Sequence, residues 1–592
     1  AKAFPHIGAN RIREALESLP ELRGSNRGAG QLETLFRVAE RLNGFPRHLA
    51  LHPSGIVLSK DDLLDRVPTE RSFLEHRMVQ ADKDDVERLG LLKLDVLGVR
   101  MLSSMRHALD EIERTTGRAI DLERIPKQDP ATFELIRSSR TVGCFQIESP
   151  GQRELLQKFQ PGRFEDLIVD ISLFRPGPVK SDMVTPFLNR RHGLERPRYA
   201  HPLLKPILQE THGVIVYHEQ VMRVLAASGC SLSEADRIRR HLDDDAEIDD
   251  HRVAFLRRAT AAGLGTEDAE KVWRELASFA SFGFCKAHAA AFAVPTYQSA
   301  WLKANYSAQF LAGVLTHEPG MYPRRLILED ARQFGIAVLP LDVNASQKTY
   351  TVEEVGPVVP RMGFGSPARS AARLNHPLQT GPPSHRAYGI RLALKDVRGI
   401  TDDEIRRILE ARIERPFGSV VDFMRRTNVS RPVAEALAHA GAFDSLAEAE
   451  RGKPRARHWT RRDRLYVAMT ADPERQGEQL ALPLAGEPGP AGLREYTDRE
   501  AVRAELEVVG LDASRHLLSF HEPLLERVAR TVFHSHLLVV RGRLRRTGLR
   551  GASIIADEVW DLVALDDAHR KGDLRSPVPR KLWHASGGSA GW

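Results

Sequence analysis

Polar and apolar side chains alternate along Gly90-Leu-Leu-Lys-Leu-Asp-Val-Leu-Gly98. Leu92, Leu94 and Val96 fall on one side, and Lys93 and Asp95 on the other. That is the period of a half-buried strand with its leucine row turned to a core. Gly98 breaks the pattern. A 3.6-residue period then puts Leu102, Met105, Leu109 and Ile112 on one face of a predicted helix, with Gly117 as its C-cap. A second strand is predicted at Ser54-Gly-Ile-Val-Leu58, entered through His52-Pro53. Residues 1–45 read as short helices, Asn10 to Leu19 and Gln31 to Leu42, and residues 108–350 as mostly helical. Leu394 to Ile400 followed by Thr401-Asp-Asp-Glu404 reads as a helix, a tight Gly399 turn and a second helix with a Thr401/Glu404 capping box. Strand-like alternation returns over 535–565, a span too short for a closed five-stranded barrel. The fold class this predicts is α+β multidomain, mostly helical.

Composition narrows the function classes. With 592 residues, roughly three to five domains are expected. The balance of 86 Lys+Arg against 79 Asp+Glu gives +7, which suits a nucleic-acid partner without requiring one. Only three cysteines occur, Cys144, Cys230 and Cys285, far apart and without a CxxC pair. A cysteine zinc site or disulfide framework is therefore not expected, and a reducing cytoplasm fits. No apolar run approaches the ~18–20 residues of a membrane span, and no signal peptide is visible. The chain opens with Ala1 rather than Met, which is expected of a fragment or a processed product.

Several stretches carry candidate chemistry. Asp95 and Lys93 are either a surface pair on a strand edge or a metal ligand beside a phosphate-holding ammonium. The D-x-D at Asp82/Asp84 precedes a short helix and is read as an N-cap supplied by Asp84 or Asp85. Gly143-Cys-Phe-Gln-Ile-Glu-Ser149 is a compact motif. Arg175 sits in Phe174-Arg-Pro-Gly-Pro178, a turn stiffened by two prolines. Tyr217-His-Glu-Gln-Val-Met222 leads into a helix. Ser233-Glu-Ala-Asp236 is read as the cap of the next one, which carries Arg237, Arg239 and Arg240 as either a solvated surface or an anion site. Lys286 and His288 stand at the mouth of a long helical stretch through Tyr297, Trp301, Tyr306 and Phe310. Lys395, Arg398 and Gly399 lie at the helical hairpin, whose turn amides suit a DNA phosphate. A loop or insertion is read at 366–384. Gln479-Leu-Ala-Leu-Pro-Leu484, in a charged and Pro/Gly-rich linker, suits a partner's apolar groove or packing on its own domain.

In one order, these stretches resemble the bacterial C-family DNA polymerases, the DNA polymerase III alpha subunits, and most closely their error-prone, damage-tolerance branch. The motifs that carry the resemblance are His52-Pro-Ser-Gly55, Leu91 to Gly98, Cys144 to Ser149, Arg175 to Pro178, Tyr217 to Met222, Lys286 to Phe292, Trp301-Leu-Lys303 and Gly441-Ala-Phe-Asp444. The resemblance implies the end of a thumb over 1–45, the C-terminal part of a nucleotidyltransferase-type palm over 46–107, and fingers over 108–350. It implies a helix-hairpin-helix DNA-binding region over 351–450, a linker with a possible clamp-binding segment over 451–528, and a truncated OB-like segment with a disordered tail over 529–592.

The implied activity is template-directed dNTP addition in translesion synthesis and DNA repair. Mg2+ is the implied cofactor, primer-template DNA and dNTPs the partners, and Gln479–Leu484 the implied contact to a sliding clamp, with other damage-tolerance proteins as further partners and no membrane. Asp95 matches the third of three metal-binding aspartates, with Lys93 beside it, while Arg175, Arg239, Arg240, Lys286 and His288 would face the nucleotide. The other two aspartates form a D-x-D pair ahead of the thumb, so the resemblance implies an N-terminally truncated fragment that is inactive alone. The alternative is a non-catalytic DNA-binding remnant of such a polymerase. A metal phosphohydrolase using Asp82, Asp84 and Asp95 lacks an accompanying histidine cluster.

Overall fold

The computed structural model describes residues 50–72, 75–174, 183–240, 248–279, 284–355, 387–446, 459–470 and 490–516, a few isolated positions, and the backbones of 538–546 and 552–561. The helices read over 1–45, the insertion at 366–384, Arg175 and Gln479–Leu484 lie outside the described residues, isolated positions near 40 apart. The chain divides into two compact units, one formed by Ala1–Gly98 with Arg527–Trp592 and the other by Val99–Glu526. The architecture is α+β and mostly helical.

In the first unit, β1 (Gly55–Leu58) is followed by β2 (Thr69–Arg71), β3 (Arg77–Val79), the helix Lys83–Arg88 and β4 (Leu92–Asp95). The β2–β3 pair is an addition to the two strands the pattern predicts. Its three-residue length gives too little alternation to register in the sequence. β1 and β4 run antiparallel, with Gly55 opposite Asp95, Ile56 opposite Leu94, Val57 opposite Lys93 and Leu58 opposite Leu92. The alternation is as predicted, but the burial is reversed. Ile56, Leu58, Leu92 and Leu94 form an exposed row. Val57, on the Lys93 face, joins a small core of Val67, Val86 and Leu91. The helix Lys83–Arg88 is capped by Asp82, not by Asp84 or Asp85, in a reciprocal box with Asp85. The cap reading therefore holds with its residue corrected. At the end of this unit, β8 (Leu538–Arg546) pairs antiparallel with β9 (Ala552–Asp561).

The second unit is built on the helix Lys286–Asn305, which packs against helices Phe164–Leu173, Pro130–Arg137 and Arg100–Thr116. The last of these ends at Gly117, whose φ of 69° is the left-handed C-cap the sequence predicts. Its buried face is rotated from the predicted one. Met101, Ser104, Met105, Ala108 and Ile112 are inside, and Leu102 is exposed. The cause is the neighbouring helix Ser307–His317, which approaches so closely that a Cβ on Gly313 would lie 2.2 Å from the Ser104 carbonyl oxygen. Small residues face that contact because nothing larger fits.

A second core joins helices His218–Ala227, Leu232–Arg240, Ile248–Ala261 and Thr266–Phe279 around Phe255 and Trp273. The helix Leu232–Arg240 is preceded by a Ser231/Glu234 box rather than a Ser233/Asp236 cap. Asp236 instead sits inside the helix, holding arginines.

Beyond these helices a mixed three-stranded sheet has the order β5 (Ala337–Leu339), β7 (Ala387–Arg391), β6 (Thr351–Val355), with β5 parallel and β6 antiparallel to β7. Its strands are short and distant in sequence, so periodicity does not reveal it. The predicted helical hairpin is modified too. Leu394–Asp396 is one 3-10 turn, Gly399 takes φ +85°, and the helix Asp402–Glu414 begins with the predicted Thr401/Glu404 box.

Candidate active site

β4 places Lys93 and Asp95 on the same face because they are two residues apart on a strand. The Lys93 ammonium lies 2.5 Å from Asp95 Oδ1, and His52 Nδ1 lies 3.7 Å from the same oxygen. The hydrogen bond from Lys93, reinforced by the charges of Lys93 and His52, holds the Asp95 carboxyl below its ordinary range. Gly55 stands directly opposite Asp95. A Cβ there would come within 3.0 Å of the His52 ring and 3.2 Å of the Lys93 stem. The sequence stretch His52-Pro-Ser-Gly55 thus has a local reason: its glycine leaves room for the Lys93 stem and its histidine flanks the carboxylate. His52 is not among the sequence-predicted site residues. Its signal was the motif lying one strand away from Asp95.

A divalent metal such as Mg2+ takes several oxygen donors. Asp95 offers one hard carboxylate, already neutralised by Lys93. Among the described residues no group of three or more His, Cys, Asp or Glu side chains could hold a metal ion. The described residues therefore do not complete a metal site by themselves. Asp82 and Asp84 do not add to it, because Asp82 is committed to capping the amides of Asp84 and Asp85.

The sequence-predicted nucleotide-binding residues Arg239, Arg240, Lys286 and His288 all lie in the second unit. Arg239 and Arg240 share Asp236, at 2.9 and 2.8 Å, and their hydrogen bonds lower the Asp236 pKa. The Lys286 ammonium pairs with Glu210 at 2.6 Å and lies over the Tyr217 ring. The backbone amide of Lys286 donates to both oxygens of Glu219, at 3.0 Å, so a carboxylate of this chain occupies the start of the helix Lys286–Asn305. Burial would raise the Glu219 pKa, but this amide bond, further backbone amides and the Cys285 thiol together outweigh it and the carboxyl is held low. Glu219, inside the stretch Tyr217 to Met222, is a residue the sequence reading did not single out. His288 lies between the rings of Phe284 and Phe292.

At the helical hairpin, Arg398 and Gly399 are exposed. Lys395 turns inward. Its ammonium donates to the Thr316 carbonyl, and burial lowers its pKa. Of the turn amides, that of Arg398 donates to the Val508 carbonyl and that of Ile400 to the Val397 carbonyl. Glu404 anchors the turn by accepting from Thr401 and from the Ser430 amide. Burial would raise its pKa, but these bonds win and hold it down to about 2.

Residues 1–98 match the bacterial DNA polymerase III alpha NTPase domain, 101–263 the bacterial DNA polymerase III alpha subunit finger domain, and 335–453 a helix-hairpin-helix motif.

The chain belongs to the bacterial DNA polymerase III alpha-subunit family.

Within this family it is similar to the error-prone DNA polymerase of Symbiobacterium thermophilum, 36% identical over 569 residues that cover 93% of this chain and 50% of that protein. The error-prone DNA polymerase of Pseudomonas fluorescens is 37% identical over 422 residues, covering 70% of this chain and 39% of the relative. That of Burkholderia pseudomallei is 35% identical over 514 residues, covering 84% and 44%. The chain therefore spans half or less of the length of these relatives. Asp95 lies in the segment matched to the NTPase domain, and Arg239 and Arg240 in that matched to the finger domain. Among the described residues no helix is long and apolar enough to cross a membrane.

Proposed function

We propose that this chain carries part of an error-prone, DNA-directed DNA polymerase that adds dNTPs to a primer across damaged template in the cytoplasm. The observation that carries the reading is the Lys93–Asp95 pair, held on one strand face within the segment matched to the polymerase NTPase domain. Asp95 serves as one ligand of a divalent cation, Mg2+, with further donors lying outside the described residues. Lys93 orients that carboxylate and offsets charge on a nucleotide phosphate. Arg175, Arg239, Arg240, Lys286 and His288 contact the nucleotide, and phosphate displaces Asp236 from Arg239 and Arg240 and Glu210 from Lys286. Arg398 and the amide of Gly399 hold a duplex phosphate, while Lys395 stiffens the turn from within. The stretch Gln479–Leu484 docks to a sliding clamp, and other damage-tolerance proteins are further partners. The domain order follows the boundaries given above: thumb end, palm part, fingers, helix-hairpin-helix region, linker and OB-like segment.

Counting donors among the described residues favours a second reading for this chain alone. One carboxylate cannot hold the two metal ions, ~3.5–4 Å apart, of an in-line phosphoryl displacement. The isolated chain then acts as a non-catalytic DNA-binding protein. Primer extension separates the two readings. The polypeptide alone is expected to bind primer-template DNA without Mg2+-dependent incorporation. Robust incorporation would refute the donor count, and no DNA binding would refute both readings.

A further inference from the structure

Four aromatic rings line up in the second unit, outside every role assigned above except that of His288. Phe284 meets His288 edge-on at 5.1 Å between centroids, and His288 meets Phe292 at 4.4 Å. Phe292 then stacks on Phe145 at 5.5 Å, with planes 23° apart. His288 and Phe292 are one helical turn apart on Lys286–Asn305, so the row follows that helix. His288 is exposed, and Phe292 and Phe145 are half-buried. Phe284 is buried in the core and backs the row, so His288 is open to solvent and Phe292 and Phe145 are partly so. Phe145 continues it into a cleft of about 470 Å³ that is also lined by Phe174 and Gln146.

Charge accompanies one end of the row. Lys286 begins the same helix and is partly exposed. The charge of Arg239 reaches His218, whose amide bonds the Phe284 carbonyl. The carboxylates on these cations, Glu210 and Asp236, are themselves partly exposed. Such pairs hold weakly and are replaceable by phosphate. Half-exposed aromatic rings next to cations are the chemistry by which proteins hold single-stranded nucleic acid, each base stacking on a ring regardless of its identity.

We propose that the row from His288 through Phe292 to Phe145, backed by the buried Phe284, is a stacking platform for unpaired bases of single-stranded DNA. The occupant is the template overhang beyond the primed duplex, so the proposal rests on the polymerase reading. Sequence-tolerant stacking suits a damaged template, because a lesion-bearing base still offers a π-face.

The test uses the full chain and three fluorescent hairpin duplexes: one blunt, one with a 5′ overhang of thymidines and one whose overhang consists of abasic sites. Phosphate charge is the same in the two overhang duplexes, and only the bases differ. Affinity is read by anisotropy. The unsubstituted chain is expected to favour the thymidine overhang by about fivefold or more, the effect of one stacked base. Phe292→Leu and Phe145→Leu keep apolar bulk and delete the ring, so each is expected to remove most of that preference while blunt-duplex affinity stays unchanged. Equal affinity for the two overhangs, or a preference that survives both substitutions, overturns the platform. Loss of blunt-duplex binding in the unsubstituted chain overturns the DNA-binding reading instead. The platform is judged on the overhang difference alone.

Discussion

Lys303 is fully buried, and its ammonium holds together two segments far apart in sequence. It donates to the Arg140 carbonyl at 2.8 Å and the Val142 carbonyl at 2.6 Å, and lies 2.7 Å from Asp330 Oδ2. That carboxylate oxygen is itself buried, and its contact with the ammonium is an ion pair without hydrogen-bond alignment. The two carbonyls belong to the turn that leads into Cys144–Ser149, where the Phe145 amide is held in addition by Ser299. Lys303→Met keeps the stem and deletes the charge. Asp330 then becomes an uncompensated buried anion, and the buried Val142 carbonyl and half-buried Arg140 carbonyl lose their donor. Removing one partner of a buried pair costs ~3–5 kcal/mol, which a retained methionine stem does not recover. Asp330→Asn leaves the ammonium its two carbonyls and an uncharged neighbour, so it is expected to cost about 1–3 kcal/mol, less than Lys303→Met. Urea unfolding followed by tryptophan fluorescence gives both values. Labelling of Cys144, which is buried with its thiol pushed up to about 12, gives a local readout that should quicken in Lys303→Met. A Lys303→Met cost below about 1 kcal/mol, or an Asp330→Asn variant that is the weaker of the two, would refute the reasoning.

Asp170 gives a pH prediction. It is fully buried, with one oxygen bonded by Gln152 and the other unpartnered, and burial raises its pKa well above the ordinary 3.8. A raised folded pKa means that its contribution is fully present below the unfolded value and is lost as pH rises towards the folded one. The loss is ~1.4 kcal/mol per pH unit in that window. Asp170→Asn should therefore gain on the unsubstituted chain between pH 5 and pH 8 in thermal unfolding, and a constant difference would count against a buried neutral carboxyl. Gly313→Ala forces a Cβ against the Ser104 carbonyl, a backbone atom that cannot rotate away, and should cost about 1–3 kcal/mol. In a polypeptide extended to the length of the relatives, Asp95→Asn should abolish primer extension while DNA affinity stays within about twofold, since one carboxylate adds nothing to phosphate contacts. Surviving extension would remove Asp95 from the metal site. Affinity for primer-template DNA should fall linearly with salt on logarithmic axes, and a flat response would exclude phosphate-dominated binding.

By itself, the sequence determined local backbone and lineage. The alternation at Leu92–Asp95, the Gly117 C-cap and the Thr401/Glu404 box were all legible, because each depends on residues within a turn or a strand of one another. The ordered motifs carried the family for the same reason: each is a short local string. Only the tertiary structure decided which faces are inside and which charges are paired. Leu102 points out and Ser104 in because a distant Gly313 brings a second helix close. Lys286 meets Glu210, Lys303 meets Arg140 and Asp330, and Lys395 turns to Thr316. Periodicity reports which side chains share a face. It carries no record of what that face will meet, because burial and ion pairing are settled by surfaces that come together only after the chain has folded. That is why Lys93 and Asp95 could be placed together from the sequence, while the reversal that leaves their leucine row exposed could not.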